Sequence, residues 1–142
     1  MQEITTVVLD AMGGDHAPGE MVKGAIDAVN MRDDIKVILV GQEDVIKEEI
    51  GKYQYPEDKI GIVHAEEVIE TAEPPVNAIR KKKNSSIVVG MNMVKNKEAD
   101  AFVSSGSTGA VLVGGQTIVG RIKGVERPPL APLIPTKDGV SL

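Results

Sequence analysis

Short β-branched runs alternate along this chain with longer segments whose apolar residues recur at helical spacing. Ile4 to Leu9, Ile35 to Val40, Ile60 to Val63 and Ala101 to Val103 read as strands. Met21, Val22, Ala25, Ile26 and Val29 mark a helix from Pro18 to about Met31. Glu43 to Ile50 reads as a short helix with Val45, Ile46 and Ile50 inward. Ile87, Val88, Met91 and Val94 form the inner face of another, capped by Asn84 or Ser85. Ala65 to Ala78 is acidic and holds Pro74-Pro75, so extended or irregular backbone is expected around the prolines. Ala110 to Ile122 is an apolar, glycine-spotted helix, and Leu130 to Pro135 is extended before a hairpin turn at Lys137-Asp138-Gly139. The order β-α-β-α-β-α-β-α-β predicts one α/β domain over residues 1–142, with a parallel-rich sheet and helices on both faces. The final Val140-Ser141-Leu142 reads as the start of a strand, so a longer parent protein is expected.

Composition narrows the function. Phe102, Tyr53 and Tyr55 are the only aromatic residues, so the core is Val, Ile, Leu, Met and Ala, and base stacking on aromatic platforms is nearly excluded. The net charge of −5 and the lack of a basic arm argue against nucleic acid as the main partner. The absence of cysteine rules out disulfides, zinc–thiolate sites and cysteine nucleophiles. With His16 and His64 as the only histidines, no histidine-rich metal site is expected, and no cofactor is foreseen. Met1-Gln2-Glu3 opens onto a strand-like run without a signal-peptide pattern, and no apolar or glycine run, that of Ala110 to Gly115 included, is long enough to span a bilayer. A soluble cytoplasmic protein is expected.

Two glycine loops follow strands. The first is Asp10-Ala11-Met12-Gly13-Gly14-Asp15-His16-Ala17-Pro18. Its glycines permit close approach of a ligand, Asp10 and Asp15 can orient a substrate or hold a cation, and His16 can exchange protons near neutral pH. It lacks the G-x-G-x-x-G spacing of dinucleotide sites. The bland alternative makes Asp15 a helix cap and His16 a solvated loop residue. The second loop is Ser104-Ser105-Gly106-Ser107-Thr108-Gly109, between a strand and a helix. Hydroxyls beside unpaired N–H groups at a helix start suit an anion, phosphate above all. The loop has no Lys, so it is not a P-loop, and a plain turn with capping hydroxyls remains the alternative. Ligands of parallel sheets gather at the carboxyl ends of strands, which is where both loops fall.

Four segments resemble, in order, the bacterial phosphate acyltransferases known as PlsX. They are Val8 to Pro18; Arg80-Lys81-Lys82-Lys83-Asn84-Ser85-Ser86; Ala99 to Ala110; and Gly124-Val125-Glu126-Arg127-Pro128-Pro129-Leu130-Ala131. The first and third are specific; the basic run alone is not. One departure is Ser107, where the family usually has Asn. Family chains are also longer.

The resemblance implies the fold of isocitrate and isopropylmalate dehydrogenases, truncated here to the N-terminal portion of a longer family fold. It implies transfer of a fatty acyl group from acyl carrier protein to inorganic phosphate, giving acyl phosphate for phospholipid synthesis. It further implies a homodimer, and peripheral membrane association through the downstream acyltransferase. Asp10, Asp15, His16 and Lys82 become the candidates for catalysis. Gly13, Gly14, Arg80, Ser85, Ser104, Ser105, Gly106, Ser107, Thr108, Gly109 and Arg127 become the candidates for holding phosphate and substrate. Arg80 to Lys83 can instead meet an acidic carrier protein or be a solvated basic face. Ala110 to Ile122 is apolar nearly all round, which predicts burial in the core, or against a partner subunit. A nucleotide-binding dehydrogenase-like half and a truncated, non-catalytic binding module stand as alternatives.

Overall fold

A computed structural model of the chain describes residues 3–141. Met1, Gln2 and Leu142, read above as part of the lead-in and of the last strand, lie outside the described residues. Four strands, β1 (Thr5–Asp10), β2 (Ile35–Gly41), β3 (Ile60–His64) and β4 (Ala101–Val103), form a parallel sheet in the order β3-β2-β1-β4. The register sets Leu9 beside both Leu39 and Val103, so the carboxyl ends of β1, β2 and β4 are level.

Alternation along the strands sends side chains to two apolar layers. On one face Val37 and Leu39 pack with Val22, Ala25, Ile26 and Val29 of helix α1 (Gly19–Met31) and Ile46 and Ile50 of α2 (Glu43–Ile50). On the other, Val8 and Val40 pack with Met93 of α4 (Ser86–Lys95), Ala65 and Ala99. A third cluster joins Ile87, Val88 and Met91 of α4 to Ala78 and Ile79 of α3 (Pro75–Lys81) and to Ala110 of α5 (Thr108–Gly114). Helices therefore cover both faces. No helix among the described residues is long and apolar enough to cross a membrane.

The structure corrects four expectations. Pro74-Pro75 does not disrupt the chain: it starts α3. A proline at the first helical position lacks only an N–H that the helix would leave unpaired, and the Pro74 carbonyl accepts from Ala78 N–H at 3.0 Å. The last apolar helix begins at Thr108 rather than Ala110. It widens to a π-helical turn over Gly115–Val119 and stops at Gly120, whose φ of +104° suits glycine. Nor does the core of this chain bury that helix all round: Leu112 and Val119 are 38% and 42% exposed, and Ile122 beyond it is 80% exposed, which leaves the partner-subunit alternative standing. The fifth strand, finally, does not join the sheet. β5 (Ile134–Thr136) pairs antiparallel with β6 (Gly139–Ser141) in a separate exposed hairpin turning at Lys137-Asp138. A short 3₁₀ turn, Glu57–Lys59, interrupts the loop before β3.

Candidate functional site

From β1 the chain leaves through α1 to β2 on one side, whereas β4 lies on the other side of β1 and is reached over the opposite face. Such a reversal opens a crevice between the carboxyl ends of β1 and β4, where ligands of α/β sheets collect. Both glycine loops start there, after Asp10 and after Val103.

The loops are fastened to each other. Asp10 is 1% exposed. Its Oδ2 accepts a hydrogen bond from Ser104 Oγ at 2.8 Å, and its Oδ1 accepts from Met12 N–H at 3.1 Å. Ser104 Oγ in turn accepts from Gly106 N–H at 3.0 Å. A hydroxyl has one proton, and here it is given to a carboxylate; Ser104 is thereby a strut of the loop. Gly13 touches this knot. A Cβ there would overlap Asp10 Oδ2 and lie 2.9 Å from Gly106 N, so the second loop can approach only a glycine. Gly14 takes φ +106° against Ser105. The Gly106 position faces Gly13 Cα and Ser104 Oγ, each 3.2 Å from where a Cβ would stand.

Ser107 is buried, and its Oγ accepts from Ala110 N–H at 3.2 Å, capping α5. The N–H groups of Thr108 and Gly109, at the first two helical positions, are left without intrahelical acceptors. Ser105 and Thr108 are exposed beside them. Gly109 receives Pro75 of α3 in close contact. The arrangement offers neutral donors and a helix dipole to an anion.

The remaining candidates lie elsewhere. Asp15 and His16 are exposed in the first loop, and α1 has no side-chain cap, so Asp15 is not one. Ser85 is fully buried and caps α4 by accepting from Val88 N–H at 3.3 Å. Pro75 packs on Gly109 and Ile79 near Gly114, so α3 and α5 run in the same direction. The basic run at the end of α3 is thus carried away from the second glycine loop. Lys82 is not brought to the loops: its ammonium is held by Glu73 and, at 2.6 Å, by the Val68 carbonyl. Arg80 and Lys81 occupy the last turn of α3, where cations complement the helix dipole, and Arg80 is exposed. Arg127 is exposed and in no ion pair among the described residues.

Sequence reasoning missed one feature. A cleft of about 810 Å³ opens beside the second loop, running from Ser104, Gly106 and Thr108 along Val111, Leu112 and Val119. The available signal is the apolar residues all round the helix after the loop, which predict burial in the core or against a partner subunit.

The description "Fatty acid synthesis protein" belongs to the family model that matches residues 5–142. The chain is 50% identical over 136 residues to a phosphate acyltransferase of Alkaliphilus oremlandii, covering 96% of this chain and 40% of that protein. It is 52% identical over 133 residues to one of Clostridium beijerinckii, covering 94% and 40%. A third, of Thermoanaerobacter pseudethanolicus, is 46% identical over 136 residues, covering 96% and 40%. The chain spans about 40% of the length of these curated relatives. It belongs to the fatty acid synthesis protein family, the family of the bacterial phosphate acyltransferases.

Proposed function

We propose that the protein moves a fatty acyl group from acyl carrier protein to inorganic phosphate and releases acyl phosphate. The observation that carries this reading is the knot of two glycine loops at the crevice of a parallel sheet, in a chain of this family. Phosphate is the nucleophile. One of its oxygens attacks the thioester carbonyl carbon, the C–O bond forms, the C–S bond breaks, and the carrier thiolate takes up the proton carried by hydrogenphosphate. No covalent enzyme intermediate is needed, which suits a chain without cysteine.

The protein's task is positioning and charge stabilisation. The N–H groups of Thr108 and Gly109 and the hydroxyls of Ser105 and Thr108 hold phosphate at the start of α5. Asp10 and Ser104 act through the shape of the loop, not as base and donor. Asp15 and His16 stand at the rim. The exposed Arg80 and Arg127 meet the acidic carrier protein and speed encounter. The product feeds glycerol-phosphate acylation in phospholipid synthesis. The protein works as a homodimer in the cytoplasm, reaching the membrane periphery through the next acyltransferase.

The direct test supplies acyl carrier protein charged with a labelled acyl group, together with inorganic phosphate. Acyl phosphate is trapped as the hydroxamate, and released carrier thiol is counted. Equal yields of hydroxamate and thiol, both dependent on phosphate, are expected. Thiol release without hydroxamate would mean simple thioester hydrolysis and would sink the reading.

A further inference from the structure

We propose that Lys82 and Glu73 form a latch that seats Pro75 on Gly109 and so holds the second glycine loop in the shape that takes phosphate; the phosphate part rests on the function proposed above. α3 has seven residues, Pro75–Lys81. A helix so short is placed by its ties to the rest of the fold, not by its own hydrogen bonds. Here the two ends are tied to each other. Lys82 is the residue that closes α3, and its ammonium reaches back to the segment that enters the helix, donating to the Val68 carbonyl at 2.6 Å and to Glu73. Both side chains are 29% exposed, so water and salt screen this pair less than a fully solvated one.

Glu73 is anchored on its own side as well. Its Oε1 accepts from Glu70 N–H at 2.8 Å, and its N–H donates to the Glu70 carbonyl at 3.1 Å. From Glu73 the chain reaches Pro75 through Pro74, whose φ is −59°. Two proline rings in succession fix φ at both residues, so little backbone freedom separates the anchored Glu73 from Pro75. Pro75 then bears on Gly109: a Cβ there would stand 2.6 Å from Pro75 Cγ. The contact continues along α5, where Ile79 lies 3.5 Å from the Cβ position of Gly114. Gly109 carries one of the two N–H groups left without intrahelical acceptors. Releasing the latch loosens the wall against which that donor is held. Donors fixed in advance bind an anion more tightly than donors that must be ordered on binding. Lys82 thus serves the site without touching phosphate, as a positioning residue.

The test is a double-mutant cycle of K82M and E73A in the protein as its gene encodes it. Two quantities are read by amide NMR: the position of the Gly109 signal without phosphate, and the affinity for inorganic phosphate. Both are measured on folded protein, so a loss of stability alone moves neither. Each single variant is expected to shift the Gly109 amide and to weaken phosphate binding roughly 2- to 30-fold, the range of remote coupling effects. The double variant is expected to be no weaker than the worse single one, because either change opens the same latch. K59M, which breaks the Lys59–Asp33 pair at the amino end of the sheet, is expected to change neither quantity. If K82M weakens binding while E73A does not, Lys82 meets phosphate directly and the latch is wrong. Losses that multiply in the double variant, or a Gly109 amide that neither variant moves, also overturn the latch; in all three cases the proposed function stands. If Gly109 moves in both variants but the parent protein binds no phosphate, the latch stands and the phosphate reading falls.

Discussion

Asp10 and Ser104 lie 94 positions apart in sequence and meet through a 2.8 Å hydrogen bond at the carboxyl ends of neighbouring strands. Ser104 gives its proton to Asp10 and takes one from Gly106 N–H, so a single hydroxyl links the two loops and shapes the second. S104A leaves a buried carboxylate and a backbone N–H each short of a partner. We expect it to lower stability by about 1–3 kcal/mol in urea unfolding. D10N places an amide N–H against one of two donors, Met12 N–H or Ser104 O–H, and disturbs the same unit. The double variant is therefore expected to lose less than the sum of the two single losses. Strict additivity would show that the two residues are not one unit.

Two glycines are expected to respond in opposite senses to alanine. At Gly13 an added methyl would overlap Asp10 Oδ2 and crowd Gly106 N at 2.9 Å, so G13A should destabilise the fold and weaken anion binding. Gly24 lies within α1 with nothing within 4 Å of where a Cβ would be. There G24A should stabilise by about 0.5–1 kcal/mol, since glycine is a poor helix former. Thermal unfolding of both variants reads the sign directly.

Ser107 stands where the resemblance to the acyltransferases leads one to expect Asn, and both residues rank among the best helix caps. Because Ser107 Oγ caps α5, S107N should stay within about 0.5 kcal/mol of the parent, whereas S107A should lose about 0.5–2 kcal/mol. S85A, at the cap of α4, should lose a similar amount. Urea midpoints at constant slope provide the check.

The Lys82 hydrogen bond, with a smaller contribution from Glu70 N–H, holds the Glu73 carboxyl below its ordinary range. A carboxylate with a depressed folded value adds stability above the unfolded value of about 4.3, and that stability fades as pH falls through the folded value. K82M should move the Glu73 titration back up toward the ordinary range. An NMR titration of the Glu73 carboxyl carbon measures it, and an unmoved midpoint would show that Lys82 is not the cause.

The parts of this fold that sequence reveals are those encoded locally. α2 spans Glu43–Ile50 as its apolar spacing predicts, and β4 spans Ala101–Val103 as its apolar run predicts. What stays hidden depends on partners far along the chain. Pro74-Pro75 reads as a break because proline is excluded from helix interiors, but it is tolerated at the first helical position, which it takes in α3. The fate of Lys82 follows from that helix and from Glu73, neither visible in the basic run itself. Both glycine loops were legible as candidates. That Asp10 and Ser104 would join them was not, since hydrogen bonding between strands distant in sequence leaves no periodic trace. The helix after the second loop divides in the same way: Ala110 and Gly114 enter the core as its apolar residues predict, whereas Leu112 and Val119 face outward, and a partner for that face is not written in the periodicity.

The central claim is that the two loops together form a phosphate site. Titration of the protein with inorganic phosphate, followed by backbone amide NMR, tests it most directly. The account predicts saturable shifts centred on Gly13–Asp15 and Ser105–Gly109, with little change along α1 and α2. A well-folded spectrum whose loop amides do not move at millimolar phosphate, or shifts gathered instead around Arg80 to Lys83, would contradict it.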